Sequence, residues 1–190
     1  MESFSDIIHY LIVVGGDMMI IISGPSTIGK NPLIYKICNE YNFEFVIPST
    51  TRQIRKEEIN GRDYEFLCLS DFQQRIKEGT ITEWDYVLGN YYGYSFNFPG
   101  NNSMITHGLS RMAIRIKNKY PNDITTIFLM PSNIDRIYGV LGQIYSGEIL
   151  EARRALVKEE IIHSSMFDML LTVGDSVFDV LNDHRIKALL

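Results

Sequence analysis

The chain has 190 residues, 45% hydrophobic and 22% charged, with a formal net charge of −5. That length and balance fit one globular domain with its own core and exclude a disordered chain. The acidic excess argues against nucleic acid as a main partner, because binding a phosphate backbone calls for a basic surplus. A single bound phosphate needs only a few local Arg or Lys residues.

Cys38 and Cys68 are the two cysteines. Their spacing makes no zinc motif, and a chain of this size does not depend on disulfides, so they read as reduced thiols of a cytoplasmic protein. Ile7 to Val14 is apolar apart from His9, far short of the roughly twenty residues that span a bilayer. No basic leader or small-residue cleavage site accompanies it. Residues 1–17 therefore read as an N-terminal extension with no membrane partner, ahead of a single domain over 18–190.

Met18 to Ser23 is an unbroken apolar run that ends at glycine, the pattern of a buried parallel strand. A helix follows over Asn31 to Tyr41, with Leu33, Ile34, Ile37 and Cys38 on one side, then a short strand over Phe43 to Ile47. Residues 49–62 read as a polar loop. Asp63 to Cys68 is a further strand, and Ser70 is the expected cap of a helix from Asp71 to Glu78 closed by Gly79. Ile81 to Leu88 and Tyr91 to Ser95 flank Gly89-Asn90 and read as a hairpin. Asn97 to Asn102 is a turn, Met104 to Thr106 a strand, Leu109 to Lys119 a helix, and Thr125 to Met130 a strongly apolar strand. Helices over Ile134 to Ile144 and Gly147 to Ser164, a strand over Met169 to Val173 and a helix over Val177 to Leu189 complete the chain. Strands alternating with helices predict an α/β fold with a parallel sheet flanked by helices, and segment 63–95 predicts a small β-rich insertion.

Gly24, Pro25, Ser26, Thr27, Ile28, Gly29 and Lys30 match G-x-x-x-x-G-K between a strand and a helix, the setting that a phosphate loop requires. Backbone N–H groups of such a loop and of the following helix converge on phosphate oxygens, and Lys30 adds a point charge. The hydroxyl that should follow the lysine is missing. Asn31 stands there with only an amide oxygen to offer a hard cation, and Pro32 brings neither hydroxyl nor N–H. No residue is assigned as a metal ligand.

With three further segments the chain resembles guanylate kinases. The carrying stretches are Ile20 to Lys30 (IIISGPSTIGK), Ser49 to Arg55 (STTRQIR), Asn60 to Phe66 (NGRDYEF) and Thr82 to Ser95 (TEWDYVLGNYYGYS), in the family's order and spacing. The resemblance is strong from about 18 to 95 and weak beyond. It implies a P-loop NTPase-type core over 18–48 and 103–190, a GMP-binding part over about 49–96 and a short helical lid over about 139–152. It also implies transfer of the ATP γ-phosphate to GMP with Mg2+, by a monomer or homodimer.

On that resemblance Lys30, Arg52 and Arg154 are the catalytic candidates, with Arg153 as the alternative to Arg154, and Gly24 to Asn31 hold the ATP phosphates. Ser49, Arg52, Arg55, Tyr64, Glu83, Tyr92 and Ser95 form the GMP site. Arg52 and Arg55 grip its phosphate with planar forks, Tyr64 and Tyr92 donate hydroxyls, and Glu83 accepts from the guanine edge. Taken singly, Arg52 and Arg55 read equally as solvated charges paired with Glu57 or Glu58, the tyrosines as strand aromatics and Glu83 as a surface carboxylate.

The departures from the family gather on the ATP side. Thr27 replaces a glycine, Met104 to Gly108 carries no carboxylate where the family has an acidic strand end, and Leu141 to Tyr145 lacks the lid arginine. Lys117, Lys119 and Arg136 are the candidate substitutes, and His107 reads as a turn histidine rather than a base. On the GMP side, Pro48 and Tyr94 stand at positions that the family fills with small hydroxyl residues. These changes leave three readings open: a slow guanylate kinase, an inactive module binding GMP or a phosphorylated peptide, and a kinase for another small phosphate acceptor.

Overall fold

The computed structural model describes residues 19–95 and 103–174. The N-terminal extension, the 97–102 turn and the closing helix over 177–189 fall on residues outside that range.

The core is a five-stranded sheet with all neighbours parallel, in the order β2-β7-β1-β8-β9. Its strands are β1 (Met19–Ser23), β2 (Glu44–Phe45), β7 (Met104–His107), β8 (Ile124–Pro131) and β9 (Met169–Val173). β1 lies in the middle and is buried along its whole length, as an unbroken apolar run demands. Its side chains alternate between the faces. Ile20 and Ile22 pack with Ile34 and Ile37 of α1 (Lys30–Tyr41), Ile137 and Leu141 of α4 (Ile134–Ile144) and Val157 of α5 (Gly147–His163). Met19 and Ile21 pack with Met112, Ala113 and Ile116 of α3 (Ser110–Lys119) on the other face. The result is the helix-flanked α/β sheet that the alternating pattern implies.

A second sheet, in the order β4-β3-β6-β5, rises from the segment between β2 and β7. It contains β3 (Ser49–Thr50), β4 (Glu65–Phe66), β5 (Glu83–Val87) and β6 (Asn90–Tyr94), with α2 (Leu69–Lys77) beside it. The expected hairpin is present, one residue out of register. Its turn is Leu88-Gly89, with φ of 47° and 81°, the two left-handed residues of a type I′ connection. Two local expectations are corrected. The 49–62 loop begins as strand β3, and α2 starts at Leu69 with Cys68 as its cap, the sulfur accepting from Asp71 N at 3.5 Å. Ser70, the expected cap, instead hydrogen-bonds the Cys68 sulfur at 2.9 Å. Both cysteines are free thiols. Among the described residues no helix is long and apolar enough to cross a membrane.

Candidate nucleotide site

A cleft of about 790 Å3 opens at the carboxyl ends of β1 and β7, where ligands of open α/β sheets bind. One wall is the loop between β1 and α1. Gly24 has φ 144° and its missing Cβ would lie 2.7 Å from Leu129 O, so only glycine lets this loop lie against β8. Gly29 caps α1 with φ 95°. Thr27 also sits at positive φ, 72°, a strained place for a β-branched residue, and its hydroxyl is buried without a partner. Lys30 is folded onto its own loop, Nζ donating to Gly24 O at 2.6 Å and Pro25 O at 2.9 Å. Burial pulls its pKa down to about 8.

The facing wall comes from the second sheet and its loops. Arg52 is buried and its outer fork is closed by Glu58, with Nη2 to Oε1 at 2.7 Å and Nη1 to Oε2 at 2.9 Å. Glu58 Oε2 also accepts from the backbone N of Arg55 at 2.8 Å. The ring faces of Tyr64 and Phe66 lie 5.3 and 5.5 Å from the Arg52 guanidinium carbon. Arg52 Nη1 also donates to Gln53 O at 2.7 Å. Only the Nε–Nη2 edge is left over, and that edge is the second planar fork of a guanidinium. Tyr64 and Tyr92 meet edge to face with centroids 6.3 Å apart, and burial raises the Tyr64 pKa, keeping its hydroxyl a donor. Arg52, Arg55, Tyr64 and Tyr92 all line the same cleft as Gly24, Ser26, Thr27, Gly29, Lys30 and Asn31.

Ser49, Glu83 and Ser95 are not among the described residues lining that cleft. Ser49 Oγ donates to Glu65, which Arg75 grips with both guanidinium nitrogens. Glu83 points to the inner face of β5 but is held by α3, with Lys119 Nζ at 2.8 Å and Arg115 Nε at 3.4 Å. Its register partner Tyr94 does line the cleft, 2% exposed, with its phenol donating to His107 O. Gly108 makes room for that ring, since a Cβ there would collide with the phenol oxygen. Tyr94 stands where a small hydroxyl residue was expected, and its ring takes up the space that a side chain at 108 would need.

The glycine loop, the paired arginines and the hairpin tyrosines stand in one cleft, and comparison with known proteins points the same way. The guanylate kinase of Lactococcus lactis subsp. lactis is 32% identical over 170 residues, covering 84% of this chain and 81% of its own. The chain belongs to the guanylate kinase family. The guanylate kinase of Bdellovibrio bacteriovorus is 32% identical over 160 residues, covering 79% of this chain and 85% of its own. A family model described as guanylate kinase matches residues 17–98. In fold, the crystal structure of guanylate kinase from Anaplasma phagocytophilum superposes with a TM-score of 0.66 at 23% identity, over 91% of this chain and 84% of that one. At the level of the family, the activity is phosphorylation of GMP by ATP, a nucleoside monophosphate kinase reaction.

Arg153, not Arg154, lines the cleft. Its guanidinium lies 4.2 Å from the Tyr145 ring centroid, its Nε is buried without a partner, and burial lowers its pKa. Arg154 pairs with Glu151 at 2.8 Å and lies over Tyr138. Of the candidate substitutes, Lys117 donates to Ile124 O at 2.7 Å and pairs with Asp168, Lys119 is tied to Glu83, and neither lines the cleft; nor does Arg136. His107 ends strand β7 rather than sitting in a turn. It is 2% exposed between Phe45 and Tyr64, and burial, then the Lys30 charge, push its pKa down to about 3. It is neutral at physiological pH, and its Nε2 has no partner among the described residues.

Asn31 stands where the hydroxyl is missing. Its Nδ2 donates to Asp63 Oδ1 at 3.1 Å, joining the phosphate loop to the opposite wall. Tyr35, Ile59 N and Arg62 fill the remaining lone pairs of Asp63. The bond from Asn31 to Asp63 uses the amide nitrogen and leaves Asn31 Oδ1 as the acceptor of the side chain. Among the described residues no group of three or more His, Cys, Asp or Glu could hold a metal. A magnesium ion carried in by nucleotide phosphates would find in Asn31 an amide oxygen donor next to Lys30 in the cleft. Glu58, Asn31's tether and Arg153's place on the wall were not separable in the sequence. Glu58 sits in a charged loop where any carboxylate would pattern alike, and Ala-Arg-Arg-Ala gives two adjacent arginines of which only the helix rotation chooses one.

Proposed function

We propose that this chain transfers the γ-phosphoryl group of ATP to GMP, giving ADP and GDP, at a reduced rate. The observation that carries this is the meeting of Arg52, Arg55, Tyr64 and Tyr92 with the Lys30 loop in one cleft. The acceptor phosphate sits on the open Nε–Nη2 edge of Arg52, on Arg55 and on the two phenols. The donor phosphates lie in the N–H groups of the loop at the start of α1. An acceptor phosphate oxygen attacks the γ-phosphorus and the bond to the β-bridging oxygen breaks, so the electron pair leaves on ADP. Protein groups supply positioning and positive charge rather than covalent chemistry. Lys30 exchanges its two carbonyl partners for phosphate oxygens, and Arg153 stands over the space between the nucleotides. Magnesium, when carried in by ATP, neutralises charge on the donor phosphates. A phosphate loop without its hydroxyl and a lid without its arginine would slow the transfer, since an arginine on the transition state is worth ~10³ or more. On this reading residues 49–96 are the acceptor part and residues 139–152 the lid.

The base end favours a second reading. With Glu83 paired to Lys119 and Arg115, and Tyr94 filling the cleft, a monophosphate with another base fits the same phosphate grip. Coupled ADP release with ATP, magnesium and a panel of nucleoside monophosphates separates the two. GMP-dependent turnover lost in Lys30→Ala supports the first, and turnover with a different acceptor alone supports the second. Calorimetric GMP binding without any turnover makes the chain a binding module and refutes both.

A further inference from the structure

One side chain joins the two sides of the cleft. Tyr145 lies at the break between α4 and α5 and lines the cleft. Arg55, from the acceptor wall, donates from Nη2 to the Tyr145 hydroxyl at 3.0 Å, across 90 residues of sequence. Arg153, in the second turn of α5, lays its guanidinium on the Tyr145 ring at 4.2 Å. Two arginines that repel each other thus share one aromatic residue, at its oxygen and at its face. No carboxylate pairs with Arg153 among the described residues, so the ring is what orients it. The buried, unpartnered Nε of Arg153 leaves that guanidinium a donor to spend on a ligand.

We infer that Tyr145 is a positioning residue with two separable actions: its hydroxyl sets Arg55 on the acceptor phosphate, and its ring sets Arg153 on the phosphoryl group in transfer. The inference rests on the proposed phosphotransfer reading, and it gives a role to the lid position at which the chain has no arginine. Hydroxyl and ring act on different arginines, so chemistry can separate them. Tyr145→Phe removes only the hydrogen bond, and Tyr145→Leu removes the ring as well.

The experiment compares the wild-type chain with both variants, after thermal melting has shown each to be folded. GMP affinity is read by calorimetry, kcat and GMP KM by ADP release, and joint occupancy by the affinity for adenosine and guanosine bridged by five phosphates. Tyr145→Phe raises the GMP Kd and KM about three- to ten-fold and leaves kcat within about two-fold, as expected for one partly exposed hydrogen bond to a cation. Tyr145→Leu further lowers kcat and the bridged-nucleotide affinity by about three- to thirty-fold, the range of a lost cation–π contact. Unchanged GMP affinity in Tyr145→Phe overturns the inference. So does a kcat loss in Tyr145→Phe as large as in Tyr145→Leu. Wild-type protein that binds GMP without turnover sinks the phosphotransfer reading and the Arg153 action with it, and the GMP affinity of Tyr145→Phe then decides the Arg55 action. Wild-type protein that does not bind GMP overturns both.

Discussion

Lys30 offers a sharp test of the phosphate loop, because its charge is conditional. In the ligand-free protein burial holds its pKa at about 8 instead of 10.5. The sign follows from the charge. Burial disfavours the ammonium, so the free site loses its proton as pH rises through 8, while a bound phosphate favours the ammonium and returns the pKa toward its ordinary value. ATP binding therefore takes up protons. Simple titration of one site gives an uptake of about one tenth of a proton at pH 7, about one half at pH 8 and about nine tenths at pH 9. Affinity should fall about tenfold per pH unit above 8 and stay level below it. The assay is calorimetric titration of ATP at each pH in two buffers of different ionisation enthalpy, whose difference in heat counts the protons. Lys30→Met should bind more weakly and show no uptake at any of the three. No uptake in the wild-type chain at pH 9, or the same uptake in Lys30→Met, would refute the claim that Lys30 meets the phosphates.

Three other outcomes follow from the same geometry. His107 stays neutral down to about pH 3 when folded but protonates near 6.5 when unfolded, so folding stability should drop as pH falls between those values, by up to about 5 kcal/mol; His107→Phe should flatten that slope in urea denaturation, and an unchanged slope contradicts its burial. Glu58→Gln should cost about 2–4 kcal/mol of stability, because it leaves the buried Arg52 charge short of its partner, and should weaken monophosphate binding by freeing the guanidinium to rotate; tighter binding would mean that Glu58 competes with the phosphate instead of orienting its receptor. Gly108→Ala should destabilise by more than about 1 kcal/mol, since its Cβ collides with the Tyr94 phenol, and the double variant Gly108→Ala with Tyr94→Ser should recover part of the loss; no recovery would separate the two positions.

The sequence carried the frame of this account. The apolar run of β1 ending at Gly24, the helical spacing after Lys30 and the Gly89 hairpin are local signals, and each stands within a residue or two of its expected place. The acceptor arginines and tyrosines were legible because four linked stretches restrict one another. What was not legible depends on partners distant in the chain. Glu83 looks the same whether it faces a base or is claimed by Arg115 and Lys119, 32 and 36 residues later. Asn31 reads as a poor magnesium ligand until Asp63 is seen to hold its amide. Tyr94 reads as an unfavourable replacement until Gly108 is found to vacate the space beneath it. Cys68 as a helix cap was missed because sulfur is a weak acceptor and a hydroxyl stands two residues away.

The central claim is that side chains far apart in the sequence form one phosphate receptor facing Lys30. A crystal structure of the chain with GMP addresses it most directly. The GMP phosphate is expected within hydrogen-bonding distance of the Arg52 Nε–Nη2 edge, of Arg55 and of both the Tyr64 and Tyr92 hydroxyls, with Glu58 still closing the outer fork of Arg52. A GMP phosphate bound elsewhere, or bound with those four side chains turned away from it, would contradict it.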